Sequence, residues 1–136
     1  MIVDANVIVG AVLGRSMPLL RQLVTRGLDL FVPVDQLREA RLVSIREGSR
    51  QGRDIVPILL SASALLIPVD QSHYLDGEAA ARRRLSEGRQ KDWSLLALAI
   101  GTGDDVWSND LDLFGTGVTV WATRNIQFAR PRRAPA

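Results

Sequence analysis

Cysteine is absent from the 136 residues, which removes disulfides, thiolate zinc sites and cysteine nucleophiles. Any metal chemistry must then rest on oxygen ligands, and the absence fits a reducing cytoplasm. Histidine occurs once, at His73 in Asp70-Gln71-Ser72-His73-Tyr74. That position is remote in sequence from the acids discussed below, so a surface or helix-start role is favoured over acid–base catalysis, despite the aptitude of histidine for that work. Lysine also occurs once, at Lys91, and the other basic residues are all arginine. Arginine suits bidentate phosphate or carboxylate contacts, although a GC-rich genome gives the same bias. No apolar run reaches the ~18 to 20 residues of a membrane span, and the start lacks the positive region of a secretory signal. The expectation is a soluble cytoplasmic protein with no membrane partner. A net charge of +2 is too small to name a partner.

What is present fits one domain, since single domains cluster around ~100 to 150 residues. We assign it to residues 1–129, with 130–136 as a flexible basic tail. Short β-rich runs alternate with longer helical ones. Ile2 to Val3 reads as a strand, Asn6 to Leu13 as a helix stopped near Gly14, and Pro18 to Arg26 as a helix closed by Gly27. Leu28 to Val32 is the next strand, followed by helical stretches over Asp35 to Glu47 and Asp54 to Leu65. Leu66 to Val69 reads as an edge strand because of Pro68. Helix is expected over Gln71 to Leu85 and Asp92 to Ile100, and strand over Asp105 to Ser108 and Val118 to Trp121. Such alternation predicts a three-layer α/β/α sandwich around a mainly parallel sheet.

Four acidic residues stand out by context. Asp4 ends the first buried strand, where an unpaired charge costs several kcal/mol and where open α/β folds bind ligands. Glu39 lies in the helix after the second strand and points between Leu42 and Val43 one turn on, near an apolar face. Asp92 opens the apolar helix, and Asp110 follows the strand Val106-Trp107-Ser108. Each has a plain alternative. Asp92 serves equally as an N-cap, Asn109 and Asp110 as an Asx-turn, and Glu39 as a partner of Arg38, Arg46 or Arg82. Asp104 and Asp105 read as turn residues. The run Arg82, Arg83, Arg84 is either a solvated helix face or a phosphate contact, and Arg124, Arg130, Arg132 and Arg133 load the C-terminal end.

Taken in order, these segments resemble the PIN-domain nucleases, most closely the small toxin-like members of the VapC type. The matching features are Asp4-Ala5-Asn6 after the first strand and Glu39 in the helix after the second. To these are added Lys91-Asp92-Trp93 opening a helix rich in small apolar residues, and Ser108-Asn109-Asp110 with Phe114 close behind. The likeness spans nearly the whole chain. It departs around Glu39, where Asp35 is the nearest rival, and in Phe114 to Trp121, which differs from the loops of the commonest toxins.

The resemblance implies a divalent-metal-dependent endoribonuclease using Mg²⁺, with Mn²⁺ as a substitute, and catalytic and metal-binding roles for Asp4, Glu39, Asp92 and Asp110. Magnesium keeps several waters and needs only one or two protein carboxylates, so Asp4 with Asp92 or Asp110 is expected in direct contact and Glu39 partly through water. A second ion would stabilise the leaving oxygen. Asn6, Ser108 and Asn109 are expected to support the acids or their waters, and Asp112 to extend the cluster or start a turn. Arg82, Arg83 and Arg84 are the candidate RNA contacts. Expected partners are RNA, an antitoxin protein and a second copy of the chain. For the last, Leu59, Leu60, Leu65, Leu66 and the tryptophans would supply the contact if any lay outside the core. The rival reading is a PIN-like RNA-binding or scaffold module without catalysis. A haloacid-dehalogenase-type phosphatase would want a second Asp where Asn6 stands, and a receiver domain would want adjacent acids on strand one.

Overall fold

A computed structural model describes residues 1–131. Five short strands, β1 (Ile2–Val3), β2 (Phe31–Pro33), β3 (Ile67–Val69), β4 (Val106–Trp107) and β5 (Val120–Trp121), form one parallel sheet in the order β3-β2-β1-β4-β5. Ile2 stands opposite both Phe31 and Val106, and Val3 opposite Trp107. Six α-helices flank the sheet: α1 (Ala5–Leu13), α2 (Met17–Thr25), α3 (Val34–Arg50), α4 (Val56–Ala64), α5 (Glu78–Arg83) and α6 (Trp93–Thr102).

The two-residue period of a strand builds the layers. Val3 and Trp107 join the core made with α1 to α4, whereas their neighbours Ile2 and Val106 join the core made with α5 and α6. Every strand near the centre is therefore apolar on both faces, as a doubly covered parallel sheet requires. The expected α/β/α sandwich is the fold. Pro68 does lie on an edge strand, paired with β2 alone. No single helix among the described residues is long and apolar enough to cross a membrane.

Chain order places the site. From β1 the chain winds to β2 and β3 on one side, then returns to lay β4 and β5 on the other. The direction of winding reverses between β1 and β4, and the crevice beyond their C-terminal ends is the point where such sheets bind ligands. Asp4 follows β1 there, and Ser108 and Asp110 follow β4.

Several boundaries differ from the sequence reading. β2 starts at Phe31 rather than Leu28, because Leu28 is occupied in closing α2. Gly27 takes a positive φ of 89°, its N–H donates to the Val24 carbonyl, and the Leu28 N–H donates to the Leu23 carbonyl. That is a Schellman closure, which spends backbone a strand would need. The helix expected over Gln71 to Leu85 is two 3₁₀ turns, Gln71–His73 and Leu75–Gly77, before α5. Asp70 caps the first by accepting from the Ser72 N–H. Gly77 lies so close to α6 that a Cβ there would stand 3.2 Å from that of Ala97, so a bulkier residue would push the two segments apart.

Candidate active site

Asp4 and Ser108 form the floor of the crevice. Asp4 is 3% exposed, and its backbone N–H donates to the Trp107 carbonyl, locking it to β4. Its Oδ2 accepts from the Ser108 hydroxyl, and its Oδ1 accepts from the Asn6 N–H at 3.2 Å, which caps α1. Ser108 is fully buried, and its Oγ in turn accepts from the Asp110 N–H at 3.0 Å. One hydroxyl thus ties the carboxylate after β1 to the loop after β4. Asp110 closes that loop by accepting from the Asp112 N–H at 3.0 Å. The Asx-turn reading of Asp110 is therefore correct, and it coexists with proximity to Asp4.

Asp92 enters from α6. It stands at the N-cap position, yet its side chain makes no capping bond. It is 7% exposed, and a buried carboxylate without a capping bond calls for another explanation. Its electrostatics supply one. Burial pushes the Asp92 carboxyl up to about 6, and the charges of Asp4, Asp110 and Glu39 push the same way, against Lys91. Asp4 is likewise raised, first by burial and then by Asp110 and Glu39, with its bonds from Ser108 and Asn6 opposing. Like charges shift one another this way only when they are close. The four acids picked out between positions 4 and 110 lie close enough for the charges of Asp4, Asp110 and Glu39 to act on Asp92.

Glu39 is the outermost of them. Leu42, expected to share an apolar face with it, is 65% exposed. The buried stripe of α3 runs instead through Gln36, Leu37, Ala40 and Ser44, so Glu39 sits at its margin. Its cation partner is Lys91, at 3.7 Å, rather than Arg38, Arg46 or Arg82. Asp35 is employed elsewhere: its Oδ1 accepts from the Tyr74 hydroxyl at 2.9 Å and its Oδ2 from the Ser94 hydroxyl at 2.7 Å. It fastens α3 to the start of α6 and to the turn carrying Tyr74. Asp112, on the rim, pairs with Arg89 at 2.6 Å.

The supporting residues work differently from the expectation. Asn6 holds Asp4 through its backbone, and its side chain is exposed. Ser108 spends its hydroxyl on Asp4 and Asp110, which leaves it a positioning group. Asn109 turns away, with its amide donating to Thr123 Oγ1 and accepting from the Thr123 N–H, which fastens the loops after β4 and β5. Gln36 was missed. Its buried Oε1 accepts from the Ala5 N–H at 3.1 Å, satisfying a first-turn donor of α1 beside Asp4. A polar residue on the buried stripe of a helix was the only signal.

The arginine run divides. Arg82 pairs with Glu78 at 2.8 Å and lies 5.5 Å from the centre of the Trp93 ring, and Arg84 donates to the Thr116 carbonyl at 3.0 Å. Arg83 is exposed. His73 is exposed and its charge registers at Asp70, in keeping with a surface role. Arg124 and Arg130 are exposed, while Arg132, Arg133 and most of the expected tail lie outside the described residues.

A family model described as PIN domain matches residues 2–131. The chain belongs to the PIN-domain family. PIN domains are nucleases, generally divalent-metal-dependent ribonucleases. No curated protein matches this PIN domain in sequence. Among the described residues no three acidic side chains close on one point tightly enough to chelate an ion as they stand. The donors nevertheless fit a hydrated hard cation. All are carboxylate oxygens, and Asp4 and Asp92 are raised in part by negative charge that a cation would relieve. Magnesium asks for one or two direct carboxylates with water completing its shell.

Proposed function

We propose that this PIN domain is a divalent-metal-dependent endoribonuclease whose site comprises Asp4, Asp92, Asp110 and Glu39. The observation that carries this reading is Asp92, a carboxylate that caps nothing, is raised chiefly by burial, and lies near enough to three other acids to feel their charge. Asp4 with Asp92 or Asp110 would hold Mg²⁺ directly, and Glu39 would bind it partly through water. When bound, the cation neutralises phosphate charge and lowers the pKa of the attacking water. Ser108 keeps Asp4 Oδ2 oriented and sets the Asp110 backbone. Glu39, half-exposed and 3.7 Å from Lys91, would accept a proton from an incoming water. Total RNA should be cleaved with Mg²⁺ or Mn²⁺ and spared once a chelator is added. Cleavage that persists in chelator, or wild-type protein that binds Mn²⁺ no better than an acidic surface does, would favour the scaffold reading.

We further propose that the nuclease is the toxin of a two-gene module acting in the cytoplasm, as the resemblance to VapC-type proteins suggests. A small DNA-binding protein encoded beside it would be the antitoxin. Self-association through α3 and α4 is the accompanying proposal. Leu59, Leu66, Trp93 and Trp107 are buried and supply no contact. Leu42 and Ile45 on α3 and Val56 and Leu60 on α4 are exposed apolar residues on helices that touch. Sedimentation is expected to show a dimer at micromolar concentration and a monomer for Leu42→Glu with Leu60→Glu, and a wild-type monomer would end the idea.

A further inference from the structure

Arg89 pairs with two acids of the loop after β4, and its two contacts differ in kind. Its Nε holds Asp112 Oδ2 on the rim at 2.6 Å, while its Nη1 reaches Asp110 Oδ2 at 3.4 Å. Asp110 is the more enclosed of the two, with a side chain 11% exposed against 43% for Asp112. Asp110 Oδ1 accepts from the Asp112 N–H, and Arg89 stands over the other oxygen, Oδ2. The short bond can persist while the long one opens. The guanidinium would then stay at the mouth with Nη1 turned out.

Arg89 is also tied to the residue that matters most. The Asp92 N–H donates to the Arg89 carbonyl at 3.1 Å, so one tight turn carries both. That turn sets Arg89 against Asp110 and Lys91 against Glu39, neutralising the outer acids. Among the described residues Asp4 and Asp92 make no ion pair.

We propose that Arg89 is the exchangeable counterion of this site: a divalent cation taken up beside Asp110 displaces its Nη1, and the freed guanidinium, still anchored on Asp112, takes a phosphate oxygen of the RNA. This rests on the nuclease reading above. Arginine suits the second task because its planar fork presents parallel donors to phosphate and stays charged. The exchange makes metal and RNA cooperative, since each opens the contact that hinders the other, and the coupling must be equal in both directions.

The test compares wild type, Arg89→Gln, Arg89→Lys and Arg15→Gln, the last a charge-matched control at an exposed arginine beyond the C-terminal end of α1, the helix whose opposite end Asp4 caps. Mn²⁺ affinity is measured by calorimetry. Affinity for a short single-stranded phosphorothioate RNA, which resists cleavage, is measured with and without Mn²⁺. Arg89→Gln should bind Mn²⁺ roughly two- to fivefold more tightly, the scale of a half-exposed ion pair released. It should bind RNA at saturating Mn²⁺ roughly tenfold more weakly, the scale of one charged hydrogen bond lost. Arg15→Gln should match wild type, and Arg89→Lys should lie between the two. Mn²⁺ affinity that is unchanged or weaker in Arg89→Gln, or an undiminished effect of Mn²⁺ on RNA binding, overturns the exchange while leaving the nuclease reading standing. Absence of Mn²⁺ binding in wild type overturns both.

Discussion

Asp92→Asn is expected to abolish metal-dependent RNA cleavage while making the metal-free protein more stable. As a simple cap the change would be nearly silent, because asparagine caps about as well as aspartate. Asp92 makes no capping bond, so nothing of that kind is lost. What is removed is a charge held in a buried site beside Asp4 and Asp110. Burial, with the neighbouring acids, pushes its carboxyl up to about 6 in the fold, against 3.8 for the ordinary group. A raised carboxyl contributes stability that is fully present below the unfolded value and is lost as pH rises through about 6. At neutral pH the wild type has lost that contribution, and the asparagine variant never loses it. The difference bounds the effect, and solvent screening at an open crevice reduces it to on the order of 1–2 kcal/mol. The thermal midpoint should therefore rise by about 3 to 6 °C at pH 7 and change little near pH 4. Mn²⁺ affinity should fall by more than the ~10- to 100-fold that loss of an outer partner costs a metal site. Cleavage should fall with it. Scanning calorimetry at the two pH values, Mn²⁺ titration and cleavage of total RNA measure all three. Retained cleavage with unchanged metal binding would mean that the pocket runs through other residues.

Asp35→Ala and Glu39→Gln should separate in the opposite way. Asp35 accepts hydroxyl bonds from Tyr74, which is 3% exposed, and from Ser94, which is fully buried. Removing it leaves two buried donors without their acceptor, at ~1–3 kcal/mol each. A total loss of about 2 to 6 kcal/mol would lower the melting temperature by about 6 to 18 °C. Restoring either bond should recover part of this, so Asp35→Asn should be milder. Glu39→Gln should leave the melting temperature within about 2 °C, because its ion pair with Lys91 is long and exposed. It should instead slow cleavage by about a hundredfold or more, the scale of a general base lost. If Asp35→Asn were stable and inactive while Glu39→Gln kept full activity, the two acids would have to exchange roles.

The sequence alone determined the layers, the succession of strands and helices along the chain, and the placing of three acids at the ends or starts of those elements. Period-two apolar strands between helices with clear stops allow little besides a doubly covered parallel sheet, and an acid directly after such a strand lies at its C-terminal edge whatever else happens. Asp4 and Asp110 were legible for that reason, and Asp92 because it opens a helix that is apolar nearly all round. Glu39 was placed on the right helix, but by a face that proved wrong, since Leu42 is exposed. Tertiary structure decided the rest. A one-dimensional pattern can mark a residue as polar and close to the core, but it does not name the partner across space. Only the fold shows that Asp35 is consumed by Tyr74 and Ser94, 39 and 59 residues away, and that Gln36 satisfies Ala5. Only the fold shows that Asn109 serves Thr123, that Arg82 and Arg84 are held locally, and that Arg89, which nothing in its neighbourhood marks out, lies over Asp110. Hydrogen bonds and ion pairs act over a few ångströms, so their partners are chosen by packing and not by spacing along the chain.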